Sequence, residues 1–463
     1  MKGYSNWSYA PYKPLMFDTG DIYICRIAPD ESAIHFEWLD SGDATYSIYY
    51  RKWNEGEFIH YKDVTATECD IKDLDTDTDY EFYVTAGDKK SRIRLARCAP
   101  VIGTVVNHLH PDDEVYSFSG RYLCSPSFIC HPDGYLLASM DVFNHRDAQN
   151  LTLIFRSDDN GESWHYVSEL MPCFWGKLFL HKGEIYMLAC ATEFGDLLIG
   201  KSTDGGKTFP APTVIARGSN GKKQKSGFHK NPQNIIRHNG RIYESIEWAY
   251  WDDGNRKQGP TAALVMSCDE NDDLLVPENW SFTEPRYFNP DDAPELAEIP
   301  WDIQAIEGTL TIDPDGKLLN IMRFGHDGHA LCYEVDQTNP EAPLKYSRLM
   351  KFNAHRAKFM IQYDEVSGKY LSIANYIYDP ETKFARNLSC LMASDDLKEW
   401  KVVCNLHDFR DVDWRFVGIQ YVAFEFQGDD LIYLARTALN NPRNHHDSNY
   451  STFHRIKNFR ELL

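Results

Sequence analysis

The sequence predicts an all-β protein of two domains, a small β-sandwich followed by a six-bladed β-propeller. Aromatic residues make up 14% of the 463 residues, and such rings fit the half-buried faces of pleated sheets. The first hundred residues alternate between apolar and polar side chains with a period of two, which is typical of short strands. Beyond residue 100, a unit of two apolar strands joined by a glycine turn recurs, which indicates a repeat architecture.

Charge and composition exclude several kinds of partner. The chain carries 48 basic and 69 acidic side chains, a net charge of −21, whereas binding to nucleic acid needs a basic face. No apolar run reaches the roughly 20 residues of a membrane span. The 11 cysteines include no CxxC pair, and the N-terminus has no apolar segment typical of a signal peptide. We therefore expect a cytoplasmic protein, or a secreted one if a leader has been removed, and the oligomeric state stays open.

The N-terminal domain is predicted from strands at residues 33–38 and 46–51 and from a tyrosine-containing corner. Trp38 lies on the first of these strands, and Leu74, Tyr80, Phe82 and Val84 form a Leu-x5-Tyr-x-Phe-x-Val pattern. Over residues 18–98 this arrangement resembles a fibronectin type III module, in which the corner tyrosine bonds nearby backbone. We assign residues 1–100 to this domain and expect it to act as a spacer or packing domain rather than to bind carbohydrate.

Two segments, residues 157–164 and 202–209, share the pattern S-x-D-x-G-x-[ST]-aromatic known as the Asp-box. The aspartate accepts backbone N–H bonds inside a tight turn, the glycine supplies a positive φ, and the aromatic ring packs between sheets. Degenerate copies occur at residues 394–400 and 267–280. These residue types point to a structural turn rather than to catalysis.

Six copies of the two-strand unit divide the remaining chain, residues 101–463. They span residues 127–143, 176–192, 233–248, 308–324, 359–375 and 421–437. Six four-stranded blades of about 60 residues each match this length. The last strand, near residues 450–456, is expected to close the ring by pairing with residues 101–118.

Asp-boxes on a six-bladed propeller resemble the sialidase family and its relatives. That family has a glutamate at the start of the fourth blade, an arginine ending the same hairpin, a second arginine in the fifth blade and a nucleophilic tyrosine in the last. Glu307, Arg323, Arg386 and Tyr421 stand at these places, and Asp141 is nearest to the family's acid/base aspartate. The family's first arginine is absent, because the corresponding segment reads Cys-Ser-Pro at residues 124–126.

The resemblance implies an exo-acting, retaining glycoside hydrolase on a terminal acidic or unusual sugar, although the missing arginine argues against strict sialidase activity. Tyr421 would be the nucleophile, Glu307 its partner base and Asp141 the acid, with no cofactor and no metal. The side chains expected to bind substrate are Arg323, Arg386, His229, His355, Trp175, Lys177, Glu193 and Arg436. Two alternatives remain open: a polysaccharide or oligosaccharide lyase acting on uronates, with His229, His355 or Tyr421 as base, and a propeller that binds glycans without turnover.

Overall fold

The structure, a computed structural model, describes residues 2–4, 6–10, 16–143, 149–219, 226–252, 257–258, 261–292, 305–325, 328–354, 357–379, 381–382 and 384–463. Within these ranges the chain consists of β-strands and short 3-10 helices without an α-helix, which confirms the all-β class. None of the described helices has the length and apolarity to cross a membrane. The 3-10 helices are Pro277–Asn279, Pro290–Asp292, Trp414–Phe416 and Phe459–Leu462.

The N-terminal part folds into two facing sheets after a short ribbon of β1 (Lys2–Tyr4) and β2 (Met16–Asp18). One sheet has the order β3-β4-β7, the other β10-β8-β5-β6 with β9 beside β8. The Asp75 N–H donates to the Tyr80 hydroxyl oxygen at 2.9 Å, which is the bond expected of the corner tyrosine. The strands are β3 (Ile24–Pro29), β4 (Ile34–Trp38), β5 (Tyr46–Lys52), β6 (Ile59–Val64), β7 (Glu68–Ile71), β8 (Thr78–Ala86), β9 (Lys89–Lys90) and β10 (Arg94–Cys98).

Six further antiparallel sheets follow, and they are numbered here in chain order. The first strand after position 100 is β11 (Thr104–His108), and it belongs to the last sheet, sheet 6. Sheet 1 contains β12 (Tyr122–Cys130), β13 (Leu136–Phe143), β14 (Leu151–Ser157) and β15 (His165–Leu170). Sheet 2 contains β16 (Phe174–His181), β17 (Glu184–Cys190), β18 (Leu197–Ser202) and β19 (Thr213–Ala216). Sheet 3 contains β20 (Gly227–His229), β21 (Ile236–His238), β22 (Arg241–Ala249), β25 (Ala262–Asp269), β26 (Trp280–Phe282) and β27 (Arg286–Tyr287), with a ribbon of β23 (Trp251–Asp252) and β24 (Lys257–Gln258).

The last three sheets have the same four-stranded form. Sheet 4 contains β28 (Ala305–Ile312), β29 (Leu318–Phe324), β30 (His329–Glu334) and β31 (Lys345–Lys351). Sheet 5 contains β32 (Ile361–Asp364), β33 (Lys369–Asn375), β34 (Leu388–Ser394) and β35 (Lys401–Asp408). Sheet 6 contains β36 (Gly418–Gln427), β37 (Asp430–Ala438), β38 (Tyr450–Ile456) and β11.

Pairing between strands agrees with the repeat read from the sequence. Each predicted two-strand unit contains an antiparallel pair. β38 pairs with β11, as expected for the closing strand. β12 of sheet 1 contacts both β16 of sheet 2 and β36 of sheet 6, so the last sheet lies beside the first.

The two S-x-D-x-G segments fold into equivalent turns. Asp159 accepts from the backbone N–H of Ser163 at 2.9 Å, and Asp204 accepts from that of Thr208 at 2.9 Å. The glycines at 161 and 206 have positive φ, and the rings that end the two segments, Trp164 and Phe209, are buried. The turns therefore anchor each ring between sheets, as the residue pattern predicts.

Buried polar contacts join the N-terminal sheets to the others. Arg94 and Asp113 form an ion pair at 2.7 Å in which both side chains are buried. The Tyr23 hydroxyl lies 2.6 Å from that of Tyr116 and donates to Glu169 at 2.9 Å. The chain therefore folds with a polar, fully desolvated junction between residues before and after position 100.

Candidate active site

In the described part of the chain, four sheets carry the same irregularity near the start of their first strand. The pairing between first and second strand shifts register at Ser125, Trp175, Glu307 and Tyr421. Each of these residues has a φ between 52° and 55°, a left-handed conformation that costs a non-glycine residue about 1–3 kcal/mol. A β-bulge redirects a side chain out of the ladder. Since such strain is retained mainly at functional sites, the four positions mark the candidate site.

Arg323 connects the two predicted residues Glu307 and Tyr421. One terminal nitrogen of its guanidinium donates to a Glu307 carboxylate oxygen at 2.6 Å and to the Tyr421 hydroxyl at 3.1 Å. Although burial raises the pKa of a carboxyl, the charge of Arg323 and its hydrogen bond hold the pKa of Glu307 below its ordinary value. Glu307 is therefore ionised at neutral pH, and the phenol oxygen faces a positively charged donor.

Two further arginines flank the ring of Tyr421. The guanidinium carbons of Arg386 and Arg436 lie 5.2 Å and 4.8 Å from the ring centroid. Arg386 is buried and donates to the side-chain oxygen of Gln420. Burial, followed by the neighbouring arginines, lowers the pKa of Arg386 to about 10, so the group stays charged at neutral pH. Within the described residues, three guanidinium groups thus contact the Tyr421 side chain, which favours an anionic ligand there.

His229 and Trp175 form a second group close to the first. The Nδ1 atom of His229 lies 2.7 Å from a carboxylate oxygen of Glu247, and its ring centroid lies 4.1 Å from that of Trp175. Burial disfavours the imidazolium, but the hydrogen bond and charge of Glu247 and the charge of Glu307 raise the pKa of His229. His229 therefore holds a proton at a higher pH than an ordinary histidine.

Asp141 lies between sheets 1 and 2. One of its oxygens accepts from the Thr152 hydroxyl at 2.5 Å and the other from the Trp175 backbone N–H at 2.8 Å. Burial raises the pKa of Asp141 to about 7, although these hydrogen bonds oppose the shift. Its carboxyl is thus close to half-protonated at neutral pH and connects the end of β13 to the strained bulge of β16. Its role as an acid stays a prediction.

Bonds of this kind recur between other neighbouring sheets. The Gly308 N–H donates to Glu247 at 3.2 Å, which ties β28 to β22. The side-chain amide of Asn375 donates to the Ile419 carbonyl at 2.8 Å, which ties β33 to β36. In each case a polar side chain on the second strand of one sheet bonds the backbone of the first strand of the following sheet, at the bulge or next to it. The second strands therefore position the site residues of their neighbours.

Three predicted residues remain. Glu193 accepts from the side-chain amide of Gln149 at 2.6 Å, and its charge contributes to the raised pKa of His229. Lys177, directly after the bulge of β16, is buried and donates to the Asn234 side chain at 2.9 Å. His355 lies outside the described residues. The described part of the predicted substrate-binding set therefore separates into an arginine group at Tyr421, a His229 group with Glu193, and the buried Lys177.

Sequence reasoning missed Gln420, Tyr122 and Phe143 as members of the site. Gln420 accepts from Arg386, and the guanidinium carbon of Arg436 lies within 6 Å of the ring centroids of Tyr122 and Phe143. The position of Gln420 directly before Tyr421 could have identified it as a site residue. No motif distinguishes the two aromatic residues from ordinary strand residues.

Comparison with known proteins gives a fold and no family. No family model matches the chain, and no curated protein matches it in sequence. Among solved structures, the Penicillium chrysogenum alpha-L-arabinanase complexed with arabinobiose has a TM-score of 0.50 at 13% identity, covering 78% of this chain and 99% of that one. The Hadza microbial sialidase Hz136 has a TM-score of 0.49 at 12% identity over 95% and 96% of the two chains. The Trypanosoma rangeli sialidase in complex with sialic acid has 0.48 at 15% identity over 78% and 58%. At these identities, the similarity to the arabinanase shows the fold alone.

Proposed function

We propose that this chain is a carbohydrate-active enzyme, an exo-acting glycoside hydrolase of sialidase-like type that releases a terminal acidic sugar with retention. In this proposal residues 101–463 form a six-bladed β-propeller that holds the site, and residues 1–100 form a fibronectin type III-like sandwich that braces it. The observation that carries the proposal is the contact of Arg323 with both Glu307 and Tyr421. The glycan-active enzymes of similar fold agree with it.

The three arginines define the charge of the substrate. Arg323, Arg386 and Arg436 all contact the Tyr421 side chain, so an anionic group on the terminal sugar would find its counter-charges there. Arg436 comes from the second strand of sheet 6, and its guanidinium lies over the ring of Tyr122 at the start of β12. Arg436 thus brings a third guanidinium to the side of the site where the first arginine of the sialidase pattern is missing.

The chemistry follows from a tyrosine nucleophile, an exception to the two-carboxylate rule of glycosidases. The Tyr421 oxygen attacks the anomeric carbon while the glycosidic C–O bond breaks, and Asp141 gives a proton to the leaving oxygen. Since an ordinary tyrosine has a pKa of about 10, attack needs help. The Arg323 N–H stabilises negative charge on the phenol oxygen, and Glu307 takes up the proton. Water then attacks the anomeric carbon of the tyrosyl glycoside and gives a proton to Asp141, while the Tyr421 oxygen leaves and recovers its proton from Glu307.

A lyase in which His229 is the base is less compatible with the charges around this residue. A base that removes the C5 proton of a uronate has to be unprotonated before it acts. Glu247 and Glu307 instead raise the pKa of His229, which favours the protonated form. The hydrolase proposal does not need a free imidazole.

The test is turnover of aryl glycosides of acidic sugars and of acidic oligosaccharides by the wild type and three variants. Tyr421→Phe and Glu307→Gln are expected to lower kcat by more than about 100-fold, while Tyr363→Phe, at an exposed tyrosine of sheet 5, keeps wild-type activity. Full activity of Tyr421→Phe would contradict the proposal. A new near-ultraviolet chromophore from an unsaturated uronate would show a lyase, and binding without any product would show a glycan-binding protein.

A further inference from the structure

Three buried lysines, contributed by sheets 2, 3 and 5, interact electrostatically with one another. Residues 230–234 follow β20 and are largely buried between the first strands. Lys177 comes from β16 and Lys358 from the segment before β32, and all three lysines have at most 3% of their surface exposed. Their ammonium groups donate to this segment: Lys177 to the Asn234 side chain at 2.9 Å, Lys358 to the Pro232 carbonyl at 3.4 Å and Lys230 to the Asn231 carbonyl at 3.3 Å.

The charge of this lysine cluster is not balanced by the described residues around it. Glu244 pairs with Lys230 at 3.3 Å, and Glu425 on β36 interacts electrostatically with Lys177. Glu307 interacts electrostatically with Lys358, but its carboxylate is already paired with Arg323 at 2.6 Å. Burial raises the pKa of Glu244 to about 7, so that even this carboxylate is only partly ionised at neutral pH. Because removing an ammonium group from water is costly unless the charge is compensated, the cluster lacks at least one negative charge.

A second observation concerns Asn231 and Gln233 in the same segment. Asn231 is 2% exposed, and neither its side-chain nitrogen nor its oxygen has a hydrogen-bond partner among the described residues. The side-chain oxygen of the buried Gln233 also lacks one in that part of the chain. Unpartnered buried polar groups of this kind are rare in proteins and indicate a bound ion or water. The free amide N–H groups of Asn231 are donors, as an anion requires.

We propose that a small monovalent anion, a halide such as chloride, binds among Lys177, Lys230, Lys358 and the Asn231 amide. The three ammonium groups outnumber the carboxylates that are not already paired with an arginine, so a monovalent anion beside them offsets the excess positive charge. Water would satisfy the amide without supplying charge, and a cation would be repelled by the lysines. In support, burial and the neighbouring lysines lower the pKa of Lys358 to about 7 although the charge of Glu307 opposes this, and an anion beside the ammonium would counter the shift further. The anion takes no part in the steps of the proposed reaction, although Lys358 feels the charge of Glu307 and Lys230 donates to the Trp175 carbonyl at 3.1 Å.

Crystals of the full chain grown in sodium bromide test the site directly. Anomalous diffraction at the bromine absorption edge is expected to show a peak within hydrogen-bonding distance of the Lys177 and Lys358 Nζ atoms. Absence of a peak there, with or without peaks on the surface, would overturn the proposal. The measurement needs neither substrate nor turnover, so it is independent of the hydrolase assignment.

Thermal unfolding provides the second measurement. The Tm of the wild type is expected to rise with chloride concentration when sodium chloride replaces sodium gluconate at constant ionic strength, because the anion binds the folded state. Lys358→Met is expected to lose this dependence, whereas Lys398→Met, at an exposed lysine of sheet 5, retains it. Equal Tm values in both salts for the wild type would refute the site, and bromide diffraction on the wild type decides the question if Lys358→Met does not fold.

Discussion

Burial of single carboxyl groups makes the stability of this protein sensitive to pH. Burial raises the pKa of Asp141, Glu169 and Glu244 to about 7. In the unfolded chain these groups ionise near pH 4. Between about pH 4 and pH 7 the folded state therefore holds more protons than the unfolded state. Each group then makes the free energy of unfolding fall as the pH rises through this range.

Asp141→Asn tests this at one residue, because the amide keeps both hydrogen bonds and cannot ionise. Its oxygen accepts from the Trp175 N–H, and its nitrogen donates to the Thr152 oxygen, whose own proton goes to the Cys173 carbonyl. The difference in unfolding free energy between the variant and the wild type is expected to change by about 2–3 kcal/mol in favour of the variant when the pH is raised from 5 to 8. Urea titrations at the two pH values measure it. Asp133→Asn, at an exposed aspartate in a turn, should parallel the wild type, and a parallel Asp141→Asn would contradict the prediction.

At the scale of the strand, the bulges place side chains and the neighbouring glycines make room for them. Gly308 follows Glu307 in the bulge of β28. A Cβ at this glycine would lie 2.2 Å from the Asn320 side-chain oxygen and 2.3 Å from the Ser245 hydroxyl. The close approach of sheets 3 and 4 therefore depends on the absence of a side chain. It also sets the position of Glu307 relative to Arg323.

Gly308→Ala is expected to cost about 1–3 kcal/mol of stability through overpacking. It should also lower kcat/KM about 100-fold because Glu307 is displaced. Gly316→Ala is the matched control, since this glycine has a φ of +79° in the turn after β28 and no atom within 4 Å of the added Cβ. The control should lose about 1 kcal/mol and no activity. Equal activity of the two variants would show that the bulge does not position the carboxylate.

At the scale of the whole molecule, the junction at position 100 makes the two proposed domains dependent on each other. Arg94 and Asp113 are paired and buried on opposite sides of that position. The Arg26 side chain also donates to the carbonyls of Val105 and Val106. A buried pair that loses one partner leaves an uncompensated charge, which is more costly than losing both.

Arg94→Met is therefore expected to destabilise the full chain by roughly 3–5 kcal/mol, in a single unfolding transition that includes both parts. Lys52→Met removes an exposed ion pair with Asp75 and should change the stability by less than about 1 kcal/mol. Urea unfolding followed by tryptophan fluorescence and by circular dichroism gives both numbers. Two separate transitions, with only the first one shifted, would show that the junction does not couple the parts.

The sequence predicts more of the fold than of the site. Glycine turns between apolar runs locate the strand pairs of all six sheets, since turn chemistry and periodicity are local properties. Tyr421, Glu307 and Arg323 were predicted from strand positions and family resemblance. The connection of Asp141 to Trp175 and that of Arg386 to Gln420 join separate sheets, and no local pattern shows which side chains meet across such a boundary. No sequence pattern predicts the bulges either, because two of the four bulge residues, Trp175 and Tyr421, are types that favour ordinary strand geometry.

The four bulges have a consequence for how this protein can change. A residue that stands outside the hydrogen-bonded ladder can be exchanged without altering the pairing of the strand that carries it. Two of these positions hold the proposed reactive pair, Glu307 and Tyr421, and the other two hold Ser125 and Trp175. In the proposed hydrolase, Ser125 and Trp175 are therefore the bulge positions outside the reactive pair at which sugar preference can be varied while the sheets are kept. Both residues are buried and bond Asp141, Ser125 through its side chain and Trp175 through its backbone N–H, so replacements of similar size should be tried first.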